Sequence, residues 1–191
     1  MSAKSNISEL KEEILSCSKC RLAETASRAV PGEGNTNTEV IFLGEGPGKK
    51  EDETGRPFVG QGGRKLDELI ESASMSRKDV YITNVVKHRP PENRAPERGE
   101  VEACKQFLEA EIDVINPSII VTLGNTATRE LLDTDRGISS IRGRFFFWRE
   151  GIRIFPTFHP GYLVRNPSGD PLSPEEEARK DMKRIRKEIS T

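Results

Sequence analysis

The sequence predicts an α/β fold, with a parallel or mostly parallel sheet covered by helices on both faces. Three observations point to it. Apolar runs of strand length recur near 39–44, 79–86 and 118–124, and segments of helical spacing lie between them. The 191 residues suit one domain, 1–191, long enough to bury a real core. No internal repeat and no low-complexity tail breaks that order.

Each element has its own signal. Ile7, Leu10, Ile14 and Leu15 carry helical spacing over 7–16, with Ser5 or Asn6 as the start. A CxxC, Cys17 to Cys20, follows, and 21–37, rich in Gly, Asn and Thr, reads as loop. The strand at 39–44 runs into a glycine-dense polar loop, 45–63, whose length suggests function rather than connection. Leu66, Leu69 and Ile70 mark one face of a helix over 64–74, and a strand at 79–86 comes next. Three prolines and a glycine forbid regular structure over 87–99. A helix at 98–115, a strand at 118–124 and a helix at 125–133 follow. Residues 144–148 and 152–157 flank Arg149-Glu150-Gly151 and read as a hairpin, and Pro174 opens a last charged helix to about 189.

Hydrophobic content of 34% and charged content of 32% describe a soluble, strongly charged chain. No run approaches a membrane span and no secretory segment follows Met1, so a cytoplasmic location is expected. Thirty basic against thirty-one acidic residues give a net charge of -1, which does not by itself announce a nucleic-acid binder. A local basic face could still hold phosphates. Arg142, Arg144, Arg149, Arg153 and Arg165 crowd the C-terminal third and read equally as a solvated surface or as such a face. Three cysteines are an odd count, which argues against a disulfide framework. With Cys104 remote in sequence, the CxxC reads as metal ligation more readily than as crosslinking.

Three stretches share one chemistry: Gly44-Glu45-Gly46-Pro47-Gly48, Asn84, and His159-Pro160-Gly161-Tyr162. Each follows a strand-like run, and an open α/β sheet assembles its crevice from such strand ends. An acid, an amide and an imidazole can read a planar polar ring and stabilise charge on it. Phe58 can stack on that ring if its loop folds back, which points to a nucleobase pocket. Singly, each feature has a plainer reading. The glycine turn lacks the spacing of a dinucleotide or Walker loop and could be structural. Phe58 could anchor a loop, Asn84 could cap a turn, and His159 could be a satisfied structural histidine. Their joint placement at strand ends is what weakens those readings.

GEGPGKKED, TGRPFVGQGG, TNVVKHRPPENRAP and HPGYLVR, in this order and spacing from about Cys17 to Arg165, resemble the family 4 type of uracil-DNA glycosylase, the iron–sulfur branch. The resemblance implies a three-layer α/β/α sandwich around a four-stranded, mostly parallel sheet. It implies a monofunctional enzyme, acting as a monomer on uracil-containing DNA, that hydrolyses the N-glycosidic bond and leaves an abasic site. It places Gly44 and Gly46 in the base pocket, Phe58 as the stacking ring, and Asn84 as the amide accepting from N3–H and donating to O4. Glu51 falls where C5 of the ring is crowded, which would exclude thymine. His159 falls where uracil O2 receives a donor, and Glu45 where the sugar cation is favoured or water positioned. An aspartate stands at the position of Gly46 in the GQDPY form of this motif. Leu163 falls where the superfamily wedges the base stack.

The resemblance further implies a [4Fe–4S] cluster held by Cys17, Cys20, Cys104 and position 88, where family members carry cysteine and this chain has His88. A Cys₃His set reads first as structural zinc on its own chemistry, although imidazole also ligates iron in clusters. His88 could equally stand free beside a three-cysteine cluster. A rival function is a related branch that captures uracil-DNA covalently through a histidine on an inserted basic loop. That branch carries GEQPG and a KRRIH insertion, both lacking here, although Lys87-His88 is shared. A more distant alternative is a metal-cluster DNA-binding or redox-sensing module without catalysis.

Overall fold

A computed structural model describes residues 6–149, 151–167 and 170–189; Ser5 and Glu150, named above at a helix start and a hairpin turn, lie outside them. In chain order the elements are α1 (Ile7–Leu15), α2 (Leu22–Thr25), β1 (Glu33–Gly34), β2 (Val40–Gly44), α3 (Lys49–Thr54), α4 (Gln61–Glu71) and β3 (Tyr81–Asn84). There follow α5 (Arg98–Ile115), β4 (Ile119–Leu123), α6 (Asn125–Leu132), α7 (Ile138–Ile141), β5 (Phe146–Phe147), β6 (Arg153–Thr157), α8 (Pro160–Arg165) and α9 (Pro174–Glu188).

Among the described residues six strands form one sheet in the order β1-β3-β2-β4-β6-β5. This corrects the expectation of a four-stranded, mostly parallel sheet: the sheet has six strands and is mixed. The strands β3, β2, β4 and β6 run parallel to one another, and β1 and β5 pair antiparallel at the two edges. The edge strands are two residues each, too short to leave an alternating pattern in the sequence. Such short edges limit the unpaired backbone offered to another chain.

The inner strands β2 and β4 are buried along their whole length, as continuous apolar runs require when both faces are covered. Alternate residues serve two separate cores. Ile41, Leu43 and Ile120 pack with Leu10 and Ile14 of α1 and with Leu108 and Ile112 of α5. Val40, Phe42 and Val121 pack on the other face with Leu66, Leu69 and Ile70 of α4 and Met182 and Ile185 of α9. Two helical layers therefore enclose the sheet.

The long loop expected over 45–63 contains α3 and the first turn of α4. The α3 sequence, Lys-Lys-Glu-Asp-Glu-Thr, is polar throughout and offers no apolar period to read. Acidic Glu51 and Asp52 in its first turn suit the helix dipole. Asp52 turns inward, where its Oδ1 accepts from the Ser27 and Arg28 amides. The hairpin reading holds for strand pairing: Phe146 lies opposite Ile154 and Phe147 opposite Arg153.

Helix α4 opens on Gln61-Gly62-Gly63, an unpromising start by helix propensity. The reason is steric. A Cβ at Gly63 would lie 2.0 Å from the Phe58 carbonyl oxygen, backbone that cannot give way cheaply. Gly63→Ala should therefore destabilise the fold by ~1–3 kcal/mol through overpacking. Thermal unfolding should show a midpoint lower by several degrees; an unchanged midpoint would refute the close approach.

Candidate active site

The parallel pairing of β2 with β3 sets Gly44 opposite Asn84 at the C-terminal ends of both strands. A Cβ on Gly44 would fall 2.4 Å from Phe58 Cζ and 2.5 Å from Asn84 Oδ1. Glycine is needed there because the phenyl ring and the amide converge on that spot. Above it opens a crevice of about 970 Å³, whose walls include Glu45, Phe58, Asn84, His159, Tyr162 and Arg165. That is the size of a small-molecule or base pocket. Asn84 is 1% exposed, yet its Oδ1 has no hydrogen-bond partner in the protein. A buried, unpaired acceptor is costly, so this oxygen can take a donor that arrives from outside.

Phe58 carries a backbone strain. Its φ is 51°, in the left-handed region that a bulky L-residue rarely enters. Two side chains clamp the loop on either side of it. Arg77 donates from Nη1 to the Phe58 carbonyl at 3.0 Å and from Nη2 to the Pro57 carbonyl. Glu51 Oε1 accepts from the Val59 and Gly60 amides, each at 2.8 Å. Strain of this kind persists only where the surroundings over-determine it. The observed contacts of Glu51 thus brace the Phe58 loop from the crevice wall.

His159 caps the first turn of α8, where its Nδ1 accepts from the Gly161 amide at 3.0 Å. An acceptor Nδ1 leaves the ring proton on Nε2, so the neutral imidazole offers one donor. Burial lowers its pKa to about 4, and the Arg165 charge acts in the same direction. Its ring centroid lies 6.0 Å from that of Phe58. Glu45 is held by the Thr126 hydroxyl, which donates to its Oε2 from the first turn of α6. At Gly46 a Cβ would meet Val86 Cγ2 at 2.8 Å, so a larger residue there requires the neighbouring chain to move.

One assignment is corrected. Leu163 is 0% exposed and packs in the core beside α4 and α9, so it does not reach the crevice as a wedge. Tyr162, 39% exposed and stacked on Phe158, stands at the rim instead. The arginine crowd also divides. Arg142 pairs with Asp181, Arg149 with Asp113 and Arg153 with Glu188, while Arg165 lines the crevice. Thr126 and Arg77 escaped the sequence reading, since a threonine in GNTAT and an arginine after a turn carry no signal without their partners.

Cys104 is buried in α5, and Cys17 and Cys20 are half-buried beside the same core. Among the described residues no three His, Cys, Asp or Glu side chains gather closely enough to grip a single metal ion. The donor set is nonetheless soft and partly unsatisfied. Burial pushes the Cys104 thiol up to about 11, and both other cysteines add to that rise. The Lys87 amide donates to Cys104 Sγ at 3.2 Å. The next residue, His88, is 5% exposed, has Nδ1 buried without a partner, and is kept neutral by burial. Glu100 ties the segments together, accepting from Arg21, Arg94 and the Glu97 amide. These bonds, that of Arg94 first, hold its carboxyl at about 2.

The protonation state of His159 is directly measurable. Nitrogen-detected NMR should show an Nε2–H tautomer that protonates near pH 4 instead of 6.5. Because the folded pKa lies below the unfolded one, the unfolded chain binds the extra proton first. This histidine therefore costs stability as pH falls from about 6.5 to about 4. A midpoint near 6.5 would show that the imidazole is not held neutral as described.

The family model described as the uracil DNA glycosylase superfamily matches residues 31–183. The chain is 48% identical over 160 residues to a type-4 uracil-DNA glycosylase of Thermotoga maritima, covering 83% of each chain. It is 43% identical over 171 residues to a type-4 uracil-DNA glycosylase of Sulfurisphaera tokodaii, covering 85% of this chain and 78% of that one. Against a type-5 uracil-DNA glycosylase of Pyrobaculum aerophilum, identity is 30%, covering 73% of this chain and 68% of that one. Matches of this extent, on a chain whose strand ends build such a crevice, show that it belongs to the uracil DNA glycosylase superfamily, in the type-4 branch.

Proposed function

We propose that this chain is a monofunctional DNA-repair enzyme that excises uracil from DNA. The observation that carries the proposal is the buried, unpaired Asn84 Oδ1 beside Phe58 and a neutral, donor-bearing His159. Uracil N3–H supplies the missing donor. Cytosine presents an acceptor at N3, so it would leave the Asn84 oxygen buried and unmet. Glu51 lies in the crevice wall, where it can also crowd C5 and exclude thymine.

The target base leaves the duplex at a cost of a few kcal/mol, and stacking on Phe58 offsets ~1–3 kcal/mol of it. When the N-glycosidic bond breaks, its electron pair goes to N1 and spreads to O2. His159 Nε2–H donates to that oxygen as charge develops. The imidazole stays neutral at pH 7, so it acts as a placed dipole rather than an acid. Glu45, fixed by Thr126, faces the sugar, favours its cationic character and orients the water that adds to C1′. Gly44 and Gly46 keep the turn thin enough for the base to enter. Arg165 and other cations of the crevice take the flanking phosphates.

Cys17, Cys20, Cys104 and His88 hold a [4Fe–4S] cluster in this reading, with zinc as the alternative occupant. Soft thiolates suit either, and a bound metal would deprotonate Cys104 despite its burial. A bound cluster would crosslink the CxxC loop, the 88 segment and α5. The whole chain acts as one domain and as a monomer. Buried His88 gives no support to covalent capture, since a nucleophile must reach the sugar. Among the described residues no helix is long and apolar enough to cross a membrane.

Incubation with uracil-containing DNA tests the activity: free uracil and an abasic, uncrosslinked strand are expected. A denaturation-resistant adduct, or no released uracil, would overturn it. His159→Ala should lower the single-turnover rate by ~10²–10³ while leaving affinity for abasic DNA nearly unchanged.

Anaerobically purified protein should contain iron and sulfide. His88→Cys should improve their retention under oxidation or acid with little change in excision rate. Zinc without iron rejects the cluster, and unaltered retention rejects His88 as a ligand.

A further inference from the structure

Directly behind the crevice lies a buried ion pair that the reaction does not use. Lys87 and Glu111 are both 0% exposed, and Lys87 Nζ donates to Glu111 Oε2 at 2.7 Å. The same ammonium donates to Thr83 Oγ1 at 2.7 Å and to the Asn84 carbonyl at 2.8 Å. Glu111 also accepts from Thr83 Oγ1 at 2.8 Å, from the Gly32 amide at 3.0 Å and from Tyr81 OH at 3.2 Å. Every partner sits on β3, on its exit or on the chain beside it.

A fully buried ion pair of this kind is weak evidence for stability, because desolvating two charges offsets their attraction. What this pair does specify is geometry. Asn84 must present an unpaired Oδ1 into the crevice, and nothing in the protein bonds that atom. Packing beside Gly44 and the hold on its backbone are then what place it. The peptide nitrogen after it, on Val85, donates to the Gly44 carbonyl at 2.9 Å, and its own carbonyl is fixed by Lys87.

We propose that Lys87, with Glu111 as its counter-charge, is a positioning residue for uracil recognition, fixing Asn84 from behind through its main-chain carbonyl. The inference rests on the uracil-excision reading and extends it to residues that touch no substrate. Lys87→Met alone would strand a buried carboxylate and could unfold the chain. The decisive variant is K87M/E111Q. There the new side-chain amide at position 111 keeps an oxygen for the Gly32 amide and Tyr81, and its nitrogen can donate to Thr83. The Asn84 carbonyl loses its donor.

Wild-type protein and the double variant would be compared by thermal unfolding, single-turnover excision, inhibition by free uracil, and affinity for abasic DNA. A melting temperature within a few degrees of wild type is expected, with excision at least tenfold slower. Inhibition by uracil should weaken by a similar factor, and abasic affinity should hold within twofold because that ligand has no base to read. A stable variant with wild-type excision and uracil inhibition overturns the proposal. So does one that is unfolded, or that loses abasic affinity in step with rate, since the pair is then structural. Absence of excision by the wild type sinks the functional reading itself, a result separate from any difference between variants.

Discussion

The crevice depends on one pairing, Gly44 opposite Asn84 across two parallel strands. Register in a sheet covered on both faces is rigidly specified, because a slip of one residue sends every side chain to the wrong side. Here Val40 and Phe42 belong to one core and Ile41 and Leu43 to the other. The hydrophobic cores therefore set not only stability but the coincidence of a missing side chain with an amide and a ring. A Cβ at Gly44 would occupy the point that Phe58 and Asn84 share. Packing deep in the sheet thus decides what the strand ends can bind.

Around that point the polar accounting changes character. Deep in the sheet, buried polar groups meet partners: Asp181 accepts from Arg142 and Thr157, and the Thr122 and Thr128 hydroxyls bond each other. At the crevice an amide oxygen is unmet and a phenylalanine stands in a left-handed conformation. A histidine there is held neutral far below its ordinary range. Each feature costs folding free energy. In the proposed reaction each would also save reorganisation as a planar, anionic leaving group forms, because the groups that meet it are already fixed. The clamps on Phe58, from Arg77 and Glu51, and on Glu45, from Thr126, keep that arrangement from relaxing.

Much of this was legible in the sequence, for identifiable reasons. Long apolar runs revealed β2 and β4, and glycine at strand ends revealed the crevice. Asn84 and His159 were visible because they follow such runs. The edge strands were not, since two residues cannot show a period, and α3 was hidden because six polar residues match no template. Leu163 was misassigned for a related reason. Its place after HPGY suggested a wedge, but α8 turns that position inward and leaves Tyr162 at the rim. The clamps were invisible because their meaning lies wholly in distant partners: Arg77 lies 19 residues from Phe58, and Thr126 lies 81 from Glu45.

The cysteine region and the crevice look separate in sequence, yet three consecutive residues join them. Val85 and Val86 donate to the carbonyls of Gly44 and Glu45, binding the exit of β3 to the glycine turn. Lys87 donates its amide to Cys104, and its carbonyl accepts from Val30 at 2.7 Å. No backbone amide from Val85 to Lys87 is left to water, as a buried connection requires. The segment therefore has little freedom to shift at one end without shifting at the other. A substitution at position 88 changes the chemistry offered to a metal one residue past this locked stretch. Its side chain lies beyond the bonds that fix Asn84, so a change there leaves those bonds in place.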